Sequence, residues 1–188
     1  MRTFVALSTP PTGGTRRFLE ACQAALKHGR PDVKWVAPEN FHVTLRFLGD
    51  VPEDRLPDVE AAVRGAAAAV EPFGVRLAGW GAFPNANRPQ TLWAAVSDGA
   101  EPMKALERAL TERLEAAGFP PDRKPFHPHI TLGRARSPDG GAVKDNLRAD
   151  APPAGDAAFT ARGITLYESR LTPSGPIYRA HLEAQFGG

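Results

Sequence analysis

Apolar and polar residues follow two distinct periods along this chain, and each period marks a different kind of element. Residues 3–8, Thr-Phe-Val-Ala-Leu-Ser, form an apolar run of the length of a buried strand, closed by a Pro/Gly-rich turn through Gly14. Over residues 15–28 the period changes to that of a helix, with Phe18, Leu19, Cys22, Ala25 and Leu26 on one face and Gly29 as the stop. A second helix is predicted over residues 53–70, where Leu56, Val59, Val63 and Val70 recur at near-helical spacing within an alanine-rich run. A third, over residues 101–117, carries Met103, Leu106, Leu110 and Leu114 on one side, with Pro102 in its first turn and Gly118 ending it. Residues 143–147 suggest one further helical turn. Strands are predicted over 33–37, 41–48, 75–80, 91–97, 129–134, 158–168 and 177–184. Stretches rich in Pro and Gly at 84–89, 137–141 and 152–155 read as loops. Many strands and few helices predict an α+β fold.

Two of the strand candidates resemble each other. Phe41-His42-Val43-Thr44-Leu45-Arg46-Phe47 and Pro128-His129-Ile130-Thr131-Leu132-Gly133-Arg134 both contain His-x-Thr-Leu, so two of the five histidines stand in the same setting. Successive residues of a strand face opposite sides. Phe41, Val43, Leu45 and Phe47 then form an apolar face for the core, which leaves His42, Thr44 and Arg46 together on the other. In the second copy Ile130 and Leu132 face the core, and His129 shares the opposite side with Thr131. One such strand reads most simply as a solvated polar face. Two copies, brought side by side by an internal duplication, place two imidazoles and two hydroxyls around one small pocket.

Such a pocket suits hydrolysis of a phosphate diester without a metal. A neutral imidazole takes a proton from water while a protonated one gives a proton to the departing oxygen, and histidine titrates near neutral pH. Threonine hydroxyls donate to the non-bridging phosphate oxygens, whose charge must be held during in-line displacement.

Composition narrows the setting. A length of 188 residues fits one folding unit, and the 42% hydrophobic and 23% charged shares are ordinary for a globular protein. With 23 Lys plus Arg against 21 Asp plus Glu, the net charge of +2 does not by itself announce a nucleic-acid protein, so any anion site is local. Arg123, Lys124, Arg134 and Arg136 gather near the second motif and can attract a phosphate ester, although a solvated basic loop accounts for them equally well. Cys22 is the single cysteine, which excludes a disulfide framework and a thiolate metal site and fits a reducing, cytoplasmic setting. The apolar run at the N-terminus is too short for a signal peptide, and no later run is long enough to span a bilayer.

The paired motifs resemble those of the two-histidine (2H) phosphoesterase superfamily, and within it the bacterial and archaeal RNA 2',3'-cyclic phosphodiesterases, formerly called 2'-5' RNA ligases. The likeness extends from residues 1–6 through 41–49, Ala82-Phe83-Pro84-Asn85, Leu92-Trp93-Ala94, residues 126–134 and Leu166-Tyr167-Glu168-Ser169-Arg170-Leu171. The resemblance implies one bilobal domain over residues 1–188, a duplicated two-lobed α+β fold with two mainly antiparallel sheets lining a central cleft and helices outside. It implies hydrolysis of a terminal 2',3'-cyclic phosphate of RNA to a 2'-phosphate, with reverse 2'-5' joining at the same site. His42 maps onto the proton donor to the leaving 3'-oxygen and His129 onto the proton acceptor from water; the residue pattern itself treats the two as equivalent. Thr44 and Thr131 map onto phosphate-binding positions, and Arg134 onto the basic residue ending the second motif, a substrate contact. Arg46 is a further candidate by its parity with His42. RNA is the expected partner, with no cofactor, no metal, no membrane and no obligatory protein partner, so a monomer is expected. Phe126 and Trp35 can stack on a base or serve as ordinary rim aromatics.

Other readings remain open at this level. His127 and His129 form a His-x-His pair of the kind that ligates a metal, which would make a metal-dependent phosphohydrolase if a carboxylate joined them. The same fold can serve as a non-catalytic RNA-binding module. The chemistry can also act on a cyclic phosphate of a nucleotide or an ADP-ribose derivative. His28 and His181 read as surface residues.

Overall fold

The computed structural model describes residues 1–29, 31–137, 140–172 and 175–187. In chain order the elements are β1 (Arg2–Ser8), α1 (Gly13–Leu26), β2 (Val33–Trp35), β3 (His42–Asp50), α2 (Leu56–Ala68), β4 (Phe73–Phe83), β5 (Thr91–Asp98), α3 (Ala100–Ala116), β6 (His129–Ala135), α4 (Val143–Asn146), β7 (Ala158–Ala161), β8 (Gly163–Thr172) and β9 (Gly175–Gln185). The strands make two sheets, one in the order β3-β1-β8-β9 and the other β2-β6-β5-β4-β7, and each of these pairings is antiparallel. The helices lie outside them. Helix α2 packs on α3 and on β8 and β9, while α1 packs on β6, β7 and α4. The α+β architecture inferred from the pattern is therefore the one observed. The predicted loop over 137–141 falls partly outside the described residues, since positions 138 and 139 are not among them.

The helices follow their apolar stripes. Met103, Leu106, Leu110 and Leu114 of α3 are fully buried, and Gly118, at φ +85°, lets the chain turn away after the last turn. The helix predicted from residue 53 begins as a 3₁₀ turn over Glu53–Arg55, and α-helix proper starts at Leu56. Pro57 has no amide hydrogen to donate to the Glu53 carbonyl, so the first α-helical bond there cannot form. That carbonyl accepts from the Leu56 amide instead.

The strand predicted over 158–168 is two strands in different sheets. The chain leaves the five-stranded sheet after Ala161 and enters the four-stranded one at Gly163. A Cβ at Gly163 would lie 2.5 Å from the Ala184 carbonyl oxygen, and only glycine permits that approach to β9. Buried side chains from both sheets and the helices join one hydrophobic cluster, including Val5, Leu7, Val43, Leu45, Leu92, Ile130 and Leu132.

Within its motif, at the leucine after the threonine, each of β3 and β6 carries an extra residue that breaks regular pairing. Against β1, Val5 faces Arg46 and Ala6 faces Thr44, so Leu45 has no partner. Against β5, Leu92 faces Gly133 and Trp93 faces Thr131, so Leu132 has none. Such a bulge resets the alternation of everything that follows it. Leu45 and Arg46 are both buried, at 3% and 2% exposure, and Phe47 is turned outward at 57%. This corrects the expectation for both residues: Phe47 leaves the core, and Arg46 leaves the face it was to share with His42. In the second copy the same shift turns Arg134 outward.

Candidate active site

The two motif strands meet across the gap between the sheets. His42 and His129 stand at the first positions of β3 and β6, each half-buried. Their rings are held by one device. His42 Nδ1 lies 2.7 Å from the carbonyl oxygen of Asn40, and His129 Nδ1 lies 2.6 Å from that of His127, in both cases two residues upstream. A carbonyl only accepts, so Nδ1 carries the hydrogen in each ring and Nε2 is the nitrogen left for chemistry. His42 Nε2 is 2.9 Å from Thr44 Oγ1. Aromatic rings fix the remaining sides: Phe4 at 5.0 Å and Tyr178 at 5.5 Å from His42, and Phe83 at 5.0 Å and Trp93 at 6.2 Å from His129.

Burial pushes the pKa of both imidazoles below the ordinary histidine value. The carbonyl bonds at Nδ1 oppose that shift. Nearby positive charge reinforces it, from His129 and Arg134 at His42 and from His127 and Arg134 at His129. Both rings are thus biased toward the neutral form when no anion is near. An anionic phosphate between them would raise both values again.

The cleft has two compartments. One, of about 430 Å³, is lined by His42 with Trp35, Ile177 and Tyr178; the other, of about 510 Å³, is lined by His129 with Phe83, Arg123 and Lys124. Thr44, Phe47, Thr131 and Arg134 line both. The shared wall therefore holds two hydroxyls and a guanidinium, with one imidazole on either side. Arg134 donates to Thr91 Oγ1 at 2.9 Å, which orients its side chain from β5.

The predicted residues His42, Thr44, His129, Thr131 and Arg134 are all brought to this cleft. Arg46 is not on the side of His42: its guanidinium donates to Thr111 Oγ1 at 3.3 Å and to the Pro120 carbonyl oxygen, with Asp122 at 3.8 Å. Of the cations noted near the second motif, Arg136 is instead paired with Asp32 at 3.6 Å. His127 is exposed, its ring 6.2 Å from that of His129, and no group of three or more His, Cys, Asp or Glu among the described residues is arranged to hold a metal ion. Two contributors escaped the sequence reading. Phe47 looked like core because strict alternation placed it there, and Tyr178 lies far along the chain from the first motif with no local signal of its own.

A cleft with two opposed imidazoles anchored at Nδ1, two hydroxyls and an arginine between them defines a two-histidine phosphoesterase. The chain belongs to the 2'-5' RNA ligase superfamily, whose model matches residues 6–172. It is 34% identical over 178 residues to an RNA 2',3'-cyclic phosphodiesterase of Methanothermobacter thermautotrophicus, covering 95% of each chain. It is 35% identical over 193 aligned positions to one of Thermus thermophilus, covering 95% of this chain and 86% of that one. Among solved structures, TT0787 of Thermus thermophilus superposes with a TM-score of 0.81 at 32% identity, over 100% of this chain and 99% of that one. E. coli LigT in its apo form shares the fold with a TM-score of 0.77, at 24% identity and covering 100% and 98%.

Proposed function

We propose that this protein is an RNA 2',3'-cyclic phosphodiesterase, in which His42 and His129 open the terminal cyclic phosphate to a 2'-phosphate. The observation that carries the reading is the position of the two imidazoles on opposite sides of one polar wall. In-line displacement at phosphorus requires the attacking and leaving oxygens on opposite sides, with the non-bridging oxygens held between them. Water attacks phosphorus and gives its proton to His129 Nε2. The bond from phosphorus to the 3'-oxygen breaks, and His42 Nε2 delivers a proton to that oxygen. Thr44, Thr131 and Arg134 hold the non-bridging oxygens. The products are a 2'-phosphomonoester and a 3'-hydroxyl, and one proton has passed from water to the leaving group through the pair. The relatives named as RNA 2',3'-cyclic phosphodiesterases, matched over nearly the whole chain, support the choice of substrate.

The phosphate also resolves the demand on His42, which must hold a proton despite its enclosure. The bound anion supplies the charge that favours the imidazolium. The protein works as one bilobal unit over residues 1–188, a monomer in the cytoplasm. Its buried free thiol at Cys22 suits a reducing compartment. None of its helices is long and apolar enough to cross a membrane among the described residues.

The test is hydrolysis of an RNA oligonucleotide ending in a 2',3'-cyclic phosphate, in excess EDTA, by the intact protein and by His42→Ala and His129→Ala. Loss of general acid or base costs about 10²–10⁴-fold, so each variant should fall by at least two decades and the intact product should be the 2'-phosphate. Activity abolished by EDTA would point to a metallohydrolase, and activity indifferent to both substitutions would refute the two-histidine mechanism.

A further inference from the structure

Beyond Phe47 the His42 compartment continues into a further hollow, of about 380 Å³, on the face of the four-stranded sheet. The two share Phe47, Arg134, Leu171, Pro176 and Tyr178. Strand register builds the hollow: Phe4 of β1 faces Phe47, Ser169 of β8 faces Tyr178, and Arg2, two residues before Phe4, shares its side of the sheet. Its charge is of one sign. Arg2 joins the shared Arg134 there, and none of the described residues lining it is a carboxylate. Arg2 is exposed and makes no ion pair among the described residues, even with Asp50, its partner across β1 and β3. On its β2 side, by contrast, the His42 compartment carries Lys34 together with Glu39, one charge of each sign. Burial pushes the Tyr178 phenol above its ordinary range, and the positive charge of Arg134 and Arg2 pulls it back, so both guanidiniums act on the wall between the two spaces. The large apolar side chains exposed among the described residues are Phe47, Leu171 and Ile177, and all three line the His42 compartment. Gathered at one rim, they mark a contact surface.

Resting on the reading above, the terminal nucleoside lies on the His42 side, because His42 protonates its 3'-oxygen, and Trp35, Ile177 and Tyr178 offer its base an apolar surface. Its 5'-oxygen carries the next phosphate of the strand. We infer that the hollow beyond Phe47 is the subsite for that phosphate, held by Arg2 and the Ser169 hydroxyl, with Phe47 and Leu171 as the surface on which the preceding base stacks. A phosphodiester is a monoanion, which one unpaired guanidinium matches, whereas Lys34 beside Glu39 offers it no net charge. Phe47 serves here only because the bulge at Leu45 turns it out of the core. A nucleoside 2',3'-cyclic monophosphate has no such phosphate and leaves the hollow to water. The subsite therefore lets the protein distinguish the end of an RNA strand from a free cyclic nucleotide.

The experiment compares kcat/KM for a nucleoside 2',3'-cyclic monophosphate with that for a dinucleotide ending in the same nucleoside cyclic phosphate. The ratio of the two within one preparation is independent of how much of a variant folds, and effects on the chemical step cancel in it. A hydrogen bond to a charged group is worth about tenfold or more, so the intact protein should favour the dinucleotide by at least about tenfold at low salt, and by less as salt rises. Arg2→Gln should lower the ratio about tenfold, and the charge-retaining Arg2→Lys should restore most of it. A dinucleotide whose internucleotide phosphate is replaced by a neutral methylphosphonate keeps both bases and loses the charge. In the intact protein it should lose the same preference, and Arg2→Gln should then cost it little more, since the two changes remove one interaction. An intact ratio below about threefold overturns the inference, and so does a fall of less than about threefold in Arg2→Gln or with the methylphosphonate. A loss produced by Lys34→Gln in place of Arg2→Gln overturns it as well, because the strand would then leave past β2. Equal hydrolysis of the two substrates removes the subsite and leaves the two-histidine reading standing; hydrolysis of neither removes that reading and the subsite with it.

Discussion

Replacing Thr44 by valine removes one hydroxyl from the shared wall and almost nothing else. The two side chains are nearly isosteric, and Thr44 is half-buried, so the change in folding free energy should stay below about 1 kcal/mol. The hydroxyl has two tasks. It lies 2.9 Å from His42 Nε2, and with substrate bound it is to donate to a non-bridging phosphate oxygen. A hydrogen bond to a charged group contributes about 1.5–3 kcal/mol. At about 1.4 kcal/mol per tenfold, its loss should lower kcat/KM by about 10- to 150-fold, at most the low end of the two to four decades expected from removing an imidazole. The assay is steady-state hydrolysis of an oligonucleotide ending in a 2',3'-cyclic phosphate, with Thr44→Val and Thr131→Val measured separately and melting temperatures recorded alongside. Thr131 lines both compartments in the same way, so the two variants should fall by similar factors. Activities of both variants within twofold of the intact protein, at unchanged melting temperature, would refute the placement of the phosphate against this wall.

Two further outcomes follow from the same geometry. The free enzyme needs one imidazole charged and one neutral, and burial with neighbouring positive charge lowers both pKa values, so log kcat/KM should be bell-shaped with its alkaline limb below the ordinary histidine value of 6.5. The bound phosphate raises those values, and the alkaline limb of log kcat should therefore lie at higher pH; a kcat limb at lower pH than that of kcat/KM would contradict the electrostatic argument. Arg46→Met should destabilise the fold by about 2–4 kcal/mol in urea titration, because a nearly fully buried guanidinium and its bonds to Thr111 and the Pro120 carbonyl are lost, and a change under about 0.5 kcal/mol would show that these bonds do not hold the chain at Pro120 to β3.

Much of the chemistry was legible because it is local. The two His-x-Thr pairs are read from adjacent letters, and alternation over two residues is enough to set each imidazole beside its hydroxyl, where the structure places them. The helices were legible for the same reason, since Met103, Leu106, Leu110 and Leu114 repeat a period that one segment carries whole. Parity failed two residues beyond Thr44. By alternation Arg46 belonged with His42, and Phe47 belonged in the core; the bulge at Leu45 exchanges them, and the matching bulge at Leu132 brings Arg134 to the cleft. A bulge exists only in the pairing of a strand with its neighbour, here β1 and β5, and those contacts lie more than thirty residues away along the chain. The exchange also explains why the motifs diverge after the leucine. Arg46 reaches past the core to Thr111 and Pro120, whereas at Gly133 a Cβ would come within 2.7 Å of Val33 and 3.0 Å of Trp35. The sequence by itself thus determined the two His-x-Thr pairs proposed for the chemistry and the class of fold. Tertiary structure alone decided which residues share the wall between the histidines and that the cleft has two sides, because strand register and the meeting of β3 with β6 depend on partners that no single segment encodes.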